Sequence, residues 1–345
     1  MAVLDGACGD GLMSRSDFWK DRHVFVTGSN GFLGSWAVRE LRKSGAFVVG
    51  LVRDLAKEPV LGGDAYATPN FSVFGCLEDY PTLLRAINEY EIDTVMHLGA
   101  QPVVGTAYRN PLSTFEANIR GTWNVLEACR QVSTVKRIVI ASSDKAYGTA
   151  EQLPYTEATP LRGRHPYDVS KSCADMIAQA YHETYKLPVC VTRCANFFGG
   201  GDLNFSRIVP GTIQSALKDQ RPVLRSDGTM VRDYIYVRDV VAAYMLLAEA
   251  MGDPKHWGRA YNFSMEVPLS VLQITELVLR VAGRADLKPV ILNEAKAEIP
   301  IQHMSGAYAR AELDWEPRYS LENSLTETVA WYRNYLTGSP EQCQA

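Results

Sequence analysis

A tyrosine and a lysine four positions apart are the first residues of this sequence whose types and spacing could do chemistry. Tyr167 and Lys171 bracket the segment Tyr-Asp-Val-Ser-Lys. On a helix these two positions share one face, so the lysine ammonium would favour the phenolate form of the tyrosine. We expect it to lower the pKa of Tyr167 from a reference of about 10 toward working pH. Tyr167 could then act as a base toward a hydroxyl group, and the alternative is an exposed pair on a helix.

Three polar residues after an apolar run form a second candidate group. Ser143, Asp144 and Lys145 follow the run 137–141, which is typical of a buried strand. Catalytic groups are expected where parallel strands end, and charged residues there need a reason to be desolvated. The alternative is an exposed Asp144–Lys145 ion pair beyond the strand, which would add little stability.

A glycine-rich stretch at residues 28–34, here called the glycine turn, has the spacing G-x-x-G-x-x-G. It follows a predicted strand at 23–27 and opens a predicted helix at 32–43, which is the context of a dinucleotide site rather than of an ordinary turn. The helix amino terminus would offer N–H groups and partial positive charge to phosphates. The predicted cofactor contacts in this turn are Gly28, Asn30, Gly31, Phe32, Leu33 and Gly34.

The end of the second predicted strand bears on the choice of dinucleotide. An acid at this place bonds the adenosine ribose 2′-hydroxyl of NAD, whereas an arginine accommodates the 2′-phosphate of NADP. The sequence offers both, because Asp54 directly follows Arg53. We predict NAD and keep NADP as the alternative.

The elements that must position these residues alternate between strand-like and helical patterns. Apolar runs at 46–52, 71–74, 94–98, 137–141 and 188–193 are separated by helical patterns, which calls for a parallel sheet with crossover helices. We predict an α/β fold with a doubly wound parallel sheet (Rossmann) and a smaller α/β substrate-binding lobe. The predicted domains are a flexible tail at 1–16, a dinucleotide-binding domain at 17–197 to which 236–264 returns, and a substrate lobe at 198–235 and 265–340.

Composition narrows the class of protein. With 345 residues, 46% hydrophobic residues, 21% charged residues and a net charge of -4, the chain resembles a soluble enzyme and not a nucleic-acid binder. No apolar stretch is long enough to span a membrane, and the first fifteen residues lack the pattern of a signal peptide. Seven scattered cysteines without a C-x-x-C pair predict buried thiols, a cytoplasmic location and no metal site.

Four further motifs give the chain a resemblance to a known family. They are Leu98-Gly99-Ala100-Gln101, Asn118-Ile119-Arg120-Gly121-Thr122, Arg193-Cys194-Ala195-Asn196 and Arg232-Asp233-Tyr234-Ile235-Tyr236-Val237. Together with the glycine turn and the Tyr167–Lys171 pair, they resemble the extended short-chain dehydrogenases/reductases of the nucleotide-sugar epimerase and dehydratase group. The resemblance implies a nicotinamide cofactor kept bound through turnover and a nucleoside diphosphate sugar as substrate.

The resemblance also implies contacts outside the glycine turn. Helices at 111–131 and 168–185 often pair between subunits in this family, so a homodimer is the predicted state. Arg207 and Arg225 have guanidinium groups suited to phosphate, and both would also fit an ordinary protein surface. Further cofactor contacts are Cys76, Leu77, Leu98, Ala100, Gln101, Asn118, Tyr167 and Lys171. The substrate contacts are Gln101, Ser143, Asn196, Arg207, Ile208, Arg225 and Arg232.

The residues after Ser143 distinguish two reactions within the family. By resemblance, Ser143 hydrogen-bonds the C4 oxygen of the sugar while Tyr167 removes its proton. An epimerase needs no further acid or base, whereas a 4,6-dehydratase needs both. Asp144-Lys145 resembles the CDP-glucose 4,6-dehydratases, as do the segments 18–20, 34–36 and 100–103. Asp144 would then be the acid at C6 and Lys145 the base at C5, a role favoured by burial near other cations.

Two alternatives remain at this point. Residues 233–239 look more like the epimerases, which keeps a 4-epimerase as the second reaction. A cofactor-binding redox sensor is the non-enzymatic alternative, although a sensor would not need Tyr167 and Lys171. The segment 298–303 has no arginine where relatives carry one, and His97, inside an apolar strand, is interpreted as a core histidine.

Overall fold

The computed structural model describes residues 17–54, 60–61, 63–294 and 299–337. The predicted flexible tail, residues 1–16, lies outside the described residues, as do residues 338–340 of the predicted substrate lobe. The domain boundaries therefore stay a prediction. Within the described ranges, no helix is both long and apolar enough to cross a membrane.

The strands follow the apolar runs of the sequence to within a residue or two. They are β1 His23–Thr27, β2 Phe47–Val52, β3 Phe71–Phe74, β4 Thr94–His97, β5 Arg137–Ala141, β6 Val189–Cys194, β7 Asn196–Phe198, β8 Val223–Leu224, β9 Val231–Arg232, β10 Tyr234–Tyr236, β11 Ala260–Phe263, β12 Leu269–Ser270 and β13 Val290–Ile291.

The helices separate most of these strands. They are α1 Phe32–Lys43, α2 Tyr80–Glu89, α3 Val104–Arg109, α4 Pro111–Phe115, α5 Gly121–Gln131, α6 Pro166–Tyr185, α7 Ile208–Leu217, α8 Val237–Ala250, α9 Val271–Val281, α10 Ala307–Leu313 and α11 Leu321–Thr337. The helix expected at 111–131 is interrupted by a π-helical turn, Glu116–Arg120. Such turns are frequent at functional sites, and this one carries Asn118.

Seven parallel strands form the central sheet in the order β11-β6-β5-β4-β1-β2-β3. The predicted doubly wound α/β fold is confirmed. The order reverses between β1 and β4, and ligands of such sheets bind at this reversal, beyond the carboxyl ends of the strands. The glycine turn follows β1, and Gly99 follows β4, so both lie at that point.

Alternation along the strands divides the core into two layers, because successive side chains of a strand point to opposite faces. Val24 and Val26 pack in the layer that holds α1 and α8. Phe25, between them, packs in the layer that holds α2, α5 and α6. Strands covered on both faces read as continuous apolar runs, which is why they were visible in the sequence.

The smaller lobe consists of helices and short strands that follow β7 in the chain. Helices α7, α9 and α11 pack against one another, and β8 and β9 pair with β13 and β12. Residues 303–305 pair with Tyr155 of the larger domain through two backbone hydrogen bonds of 3.0 and 2.8 Å. This pairing brings the lobe beside the turn that follows β5.

Candidate functional site

The glycine turn depends on close backbone approaches that no other residue would permit. Gly28 has a φ of +67°, and a Cβ there would lie 2.8 Å from Cα of Gly99. A Cβ on Gly34 would overlap the carbonyl oxygen of Gly28. Gly31 begins α1 without a side-chain cap, so no side chain competes for the first N–H groups of the helix. These features fit the diphosphate of a dinucleotide.

Arg53 and Asp54, the two candidates for the adenosine ribose, bond to each other. Nε of Arg53 lies 2.7 Å from Oδ2 of Asp54, and the side chains are 67% and 72% exposed. The Asn30 side chain donates to the carbonyl oxygen of Asp54 at 2.8 Å. The glycine turn and the end of β2 are thus joined, and both candidate groups remain accessible at the predicted place.

Asn118, on the π-helical turn, joins three parts of the cofactor region. Its Oδ1 accepts from the backbone N–H of Gln101 at 2.7 Å, and its Nδ2 donates to the Ser170 hydroxyl of α6 at 2.9 Å. The Gln101 side chain donates to the Thr114 hydroxyl at 2.9 Å and accepts from the Val103 N–H at 2.6 Å. The side-chain amides of Asn118 and Gln101 therefore join the loop after β4 to α4 and α6. Cys76 and Leu77 follow β3, and Leu98 and Ala100 lie beside Gln101.

His97 is a core histidine, as expected, and it links the strand ends at the reversal. Its Nδ1 lies 2.8 Å from the Thr27 hydroxyl, and its Nε2 lies 3.1 Å from the Thr122 hydroxyl. The Thr27 hydroxyl also accepts from the N–H of Gly99 at 2.9 Å. Burial, together with the nearby Lys171 charge, lowers the pKa of His97 to about 3. The imidazole is therefore neutral at working pH.

Tyr167 and Ser143 are brought together, as the resemblance implied. Tyr167 is buried in the first turn of α6, and its phenol lies near enough to Ser143 for that side chain to change its pKa. Burial raises the pKa of Tyr167 to about 12, and Asp144 raises it too, whereas Arg207 and Ser143 lower it.

The expected lowering of the Tyr167 pKa by Lys171 is wrong. The Lys171 ammonium donates to the carbonyl oxygen of Ala141 at 2.8 Å, and burial lowers the pKa of Lys171 itself to about 8. Desolvation of the phenol outweighs any attraction to this amine. The neighbours that favour the phenolate are Ser143 and Arg207.

Asp144 and Lys145 lie on a single 3₁₀ turn, Asp144–Tyr147, here called the lysine turn. The Ser143 hydroxyl caps the turn by accepting from the N–H of Lys145 at 3.2 Å, and it donates to the Asp144 carboxylate at 3.0 Å. Asp144 is only 3% exposed, so the exposed ion pair is ruled out. The Lys145 amine donates to the Gln302 side chain at 3.2 Å. The Asp168 carboxylate interacts with this amine, which opposes the effect that we expected from neighbouring cations.

The residues predicted to bind the sugar nucleotide are divided between the site and the surface. Arg207 forms a 2.9 Å ion pair with Asp202 and affects the pKa of Tyr167. Arg232 is buried and donates to the carbonyl oxygen of Pro300 at 3.3 Å. Arg225 is exposed and donates to the carbonyl oxygen of Ser206. Asn196 begins β7 beside Asp233, and Ile208 begins α7.

Sequence reasoning missed several buried polar groups on the lobe side of the site. The Asp233 carboxylate accepts from the Ser264 hydroxyl, and burial raises the pKa of Asp233 to about 6. Side-chain atoms of Asp233, Tyr234 and Gln302 have no hydrogen-bond partner among the described residues. Asp233 belongs to a family motif that could have identified it, whereas Gln302 lies in the segment 298–303, which drew attention only because it has no arginine. No group in the described ranges has enough His, Cys, Asp or Glu side chains to hold a metal ion.

Comparisons with known proteins agree with this geometry. The family model described as GDP-mannose 4,6 dehydratase matches residues 25–328. The CDP-glucose 4,6-dehydratase of Salmonella typhimurium is 28% identical over 341 residues, with 94% of each protein covered.

Solved structures of two enzyme types resemble the chain. The UDP-glucose 4-epimerase of Thermotoga maritima, solved with UDP-glucose, has a TM-score of 0.82 at 27% identity and covers 91% of this chain and 99% of its own. The dTDP-glucose 4,6-dehydratase of Bacillus anthracis, solved with NAD, has a TM-score of 0.79 at 26% identity and covers 91% and 97%. The fold alone therefore accommodates both reactions.

Proposed function

The chain belongs to the GDP-mannose 4,6-dehydratase family, and we propose that it is a nucleotide-sugar 4,6-dehydratase similar to the CDP-glucose enzymes. One observation carries this choice. The lysine turn places a buried carboxyl group and an amine directly beyond Ser143, which lies near enough to the Tyr167 phenol to lower its pKa. A 4-epimerase would use Ser143 and Tyr167 but would leave Asp144 and Lys145 without a task. A redox sensor would need none of the four.

The proposed cofactor is NAD, with NADP as the alternative. Both dehydratase and epimerase structures similar to this chain have been solved with NAD. When bound, NAD would accept hydride from C4 of the sugar and return it at C6. The glycine turn and the start of α1 would hold the diphosphate, and Asp54 would bond the ribose. The remaining contacts are those predicted from the sequence: Asn30, Phe32, Leu33, Arg53, Cys76, Leu77, Leu98, Ala100, Gln101, Asn118, Tyr167 and Lys171.

Ser143 and Tyr167 would act first, at the C4 hydroxyl. The Ser143 hydroxyl hydrogen-bonds the C4 oxygen, and Tyr167 takes the proton as C4 becomes a ketone. Because burial holds the pKa of Tyr167 near 12, the phenol keeps its proton readily once it has received it. Arg207 and Ser143 lower the pKa of Tyr167 against the effect of burial, so they favour the phenolate that the next turnover requires.

Lys145 and Asp144 would act on the neighbouring carbons. The ketone at C4 makes the C5 proton acidic, and the Lys145 amine removes it. The electron pair of the C5–H bond forms the C5–C6 double bond as the C6–O bond breaks. Asp144 gives a proton to the departing hydroxyl group, which leaves as water. Substrate contacts are proposed for Gln101, Asn196, Arg207, Ile208, Arg225 and Arg232, the arginines toward the diphosphate.

The reaction type can be tested by incubating the protein with a panel of nucleoside diphosphate sugars in deuterated water. A 4,6-dehydratase gives a product that has lost water and carries solvent deuterium at C5, detected by mass spectrometry. Lys145→Met should keep cofactor binding and lose the C5 label, whereas Lys136→Met, on an exposed loop, should behave as wild type. An unlabelled isomer of the substrate would show an epimerase instead.

We also propose that the protein is a homodimer that pairs through α4, α5 and α6. Three large apolar side chains are exposed on these helices: Leu112 (68%), Trp123 (42%) and Met176 (60%). Helices α5 and α6 pack side by side, and α4 packs against α6. Light scattering should give twice the chain mass for wild type and the chain mass for Trp123→Glu/Met176→Glu, whereas Val223→Glu on the small lobe should remain dimeric. A wild-type monomer would contradict this assembly.

The proposed location is the cytoplasm. The cysteines within the described ranges are all free thiols, and Cys129, Cys190 and Cys194 are buried, which suits a reducing compartment. Fractionation of the native host with an antibody tests this, and recovery outside the cytoplasmic fraction would contradict it.

A further inference from the structure

Gln302 is a fully buried polar side chain in the segment between β13 and α10. It is 0% exposed, and its Oε1 accepts from Nζ of Lys145 at 3.2 Å. The two residues are 157 positions apart in the chain. Its Nε2 has no hydrogen-bond partner among the described residues. A buried amide is costly unless it is hydrogen-bonded, so the contact with Lys145 favours this side chain here. Gln302 also lies near enough to Tyr155 to lower the pKa of that phenol.

The backbone around Gln302 is fixed on both sides. The N–H of Gln302 donates to the carbonyl oxygen of Val231 at 3.0 Å, and the N–H of Val231 donates to that of Pro300 at 2.8 Å. The N–H of Tyr155 donates to the carbonyl oxygen of His303 at 3.0 Å. The backbone of Gln302 is therefore held in one position by hydrogen bonds. Lys145, by contrast, ends in an amine on a flexible four-carbon stem and cannot fix that amine by itself.

The amide of Gln302 is neutral in surroundings that already carry negative charge. Asp168 lies near enough to Lys145 for the two charges to interact, and Asp144 is adjacent in the chain. A carboxylate at position 302 would add a further negative charge and favour the ammonium form of Lys145. The other charged and titratable groups of these surroundings are His165, which interacts with Asp168, and Tyr155 and Arg232, which interact with each other.

We propose that Gln302 is a positioning residue, which holds the Lys145 amine in place for proton removal at C5 without adding charge that would keep the amine protonated. This role rests on the proposed dehydratase function. Gln302 does not touch the reacting carbon. It acts through the amine, because the amide oxygen accepts one N–H of the neutral amine and leaves the nitrogen lone pair free to take the C5 proton.

Two substitutions separate the two parts of this role, which are to accept a hydrogen bond from the amine and to add no negative charge. Gln302→Met keeps the length and approximate volume of the side chain but removes the acceptor. Gln302→Glu keeps the length and the acceptor but adds a charge. The same two changes at Gln214, a half-buried residue of α7 in the same lobe, provide matched controls. Thermal unfolding of each variant reports whether the fold is retained.

The first measurement reads the protonation of Lys145 without any substrate. Brief acetic anhydride labelling at a series of pH values, followed by peptide mass spectrometry, gives the pH at which the Lys145 amine becomes reactive. We expect this pH to fall in Gln302→Met, which loses a hydrogen bond to the charged form, and to rise in Gln302→Glu. If the pH dependence of Lys145 labelling is the same as in wild type in both folded variants, the proposal is overturned.

The second measurement reads the proton transfer itself. The rate at which solvent deuterium enters C5 should fall about tenfold to a hundredfold in Gln302→Met, since a catalytic group displaced by about an ångström loses this much. In Gln302→Glu it should fall at neutral pH and recover as the pH rises. Wild-type rates in both variants would overturn the positioning role. If wild type labels no sugar, the dehydratase function fails, and the acetic anhydride result still tells whether Gln302 controls the amine.

Discussion

The glycine turn and the lysine turn lie at the same edge of one sheet, but they are stabilised in different ways. The glycine turn is built from backbone groups in close contact, and the polar side chains around it bond one another. The lysine turn carries a buried carboxyl group and a partly buried amine, and its lobe side retains polar atoms without partners among the described residues. The first region is suited to hold a ligand in one position. The second region contains a carboxyl group and an amine that can exchange protons with a substrate.

The largest effect should come from the residue that both reactions of the family require. Tyr167→Phe removes the proton acceptor, and general acid–base groups contribute 10²–10⁴-fold, so turnover should fall by about a thousandfold. Cofactor affinity should change little, because the phenol contributes little of the binding surface. Steady-state rates and NAD titration by fluorescence measure both. Tyr181→Phe on the same helix is the control, and a rate for Tyr167→Phe equal to that of this control would remove Tyr167 from the chemistry.

The next largest effect tests the packing of the glycine turn. Gly34→Ala forces a methyl group into the carbonyl oxygen of Gly28, so it should destabilise the protein by about 3 kcal/mol and weaken NAD binding at least tenfold. Gly105→Ala in α3 meets only the Arg109 guanidinium, at 3.6 Å, and should leave both unchanged or slightly improved. Denaturant unfolding and NAD titration measure the pair. Equal free energies of unfolding and equal NAD affinities in the two variants would mean that the glycine turn tolerates the added methyl group despite its geometry.

A smaller effect comes from His97, which joins the two strands at the reversal. Burial lowers the pKa of folded His97 to about 3, whereas the unfolded residue titrates near 6.5. The unfolded state therefore binds more protons between these values, and stability falls as the pH drops below 6.5. Between pH 6.5 and 5 the loss should be about 2 kcal/mol.

The variant His97→Gln should show a flatter dependence of the free energy of unfolding on pH over this window. His23→Gln, at the other end of β1, is the control and should keep the wild-type slope. Denaturant unfolding at several pH values measures this. A slope in His97→Gln as steep as that of wild type would show that other groups cause the acid sensitivity.

The smallest predicted effect concerns the exposed pair at the end of β2. Asp54→Asn removes the carboxylate for the ribose hydroxyl and frees Arg53 for a phosphate, so the ratio of NADP to NAD affinity should rise about tenfold, or 1.4 kcal/mol. Asp286→Asn disrupts a similar exposed ion pair with Arg284 and should not change the ratio. Competition titrations with the two dinucleotides measure it, and an unchanged ratio in Asp54→Asn would assign the choice of cofactor to other residues.

The sequence predicted the fold and the glycine turn well because their signals are local. Apolar runs covered on both faces are continuous in the sequence, and three glycines within seven residues define the turn. The helix 111–131 was predicted with correct ends, but the π-helical turn at Glu116–Arg120 was not. That turn is held by contacts of Asn118 with Gln101 and Ser170, which a single stretch of sequence does not show.

The lysine turn was predicted only in part because its surroundings come from distant segments. Ser143, Asp144 and Lys145 were identified from their place after β5, but the partner of Lys145 is Gln302. The pKa of Tyr167 was predicted in the wrong direction, since spacing along a helix gives the neighbour and not the degree of burial. Desolvation depends on the whole site, and here it exceeds the effect of any single charge.

One measurement tests most directly the claim that both turns act on the same sugar. The nucleoside diphosphate hexose that reacts in the panel is prepared with deuterium at C4 and converted in ordinary water, and the product is examined by NMR. The account predicts that the deuterium is recovered at C6 of a 4-keto-6-deoxy sugar, with a solvent proton at C5. Deuterium that remains at C4 of a product isomer would contradict it.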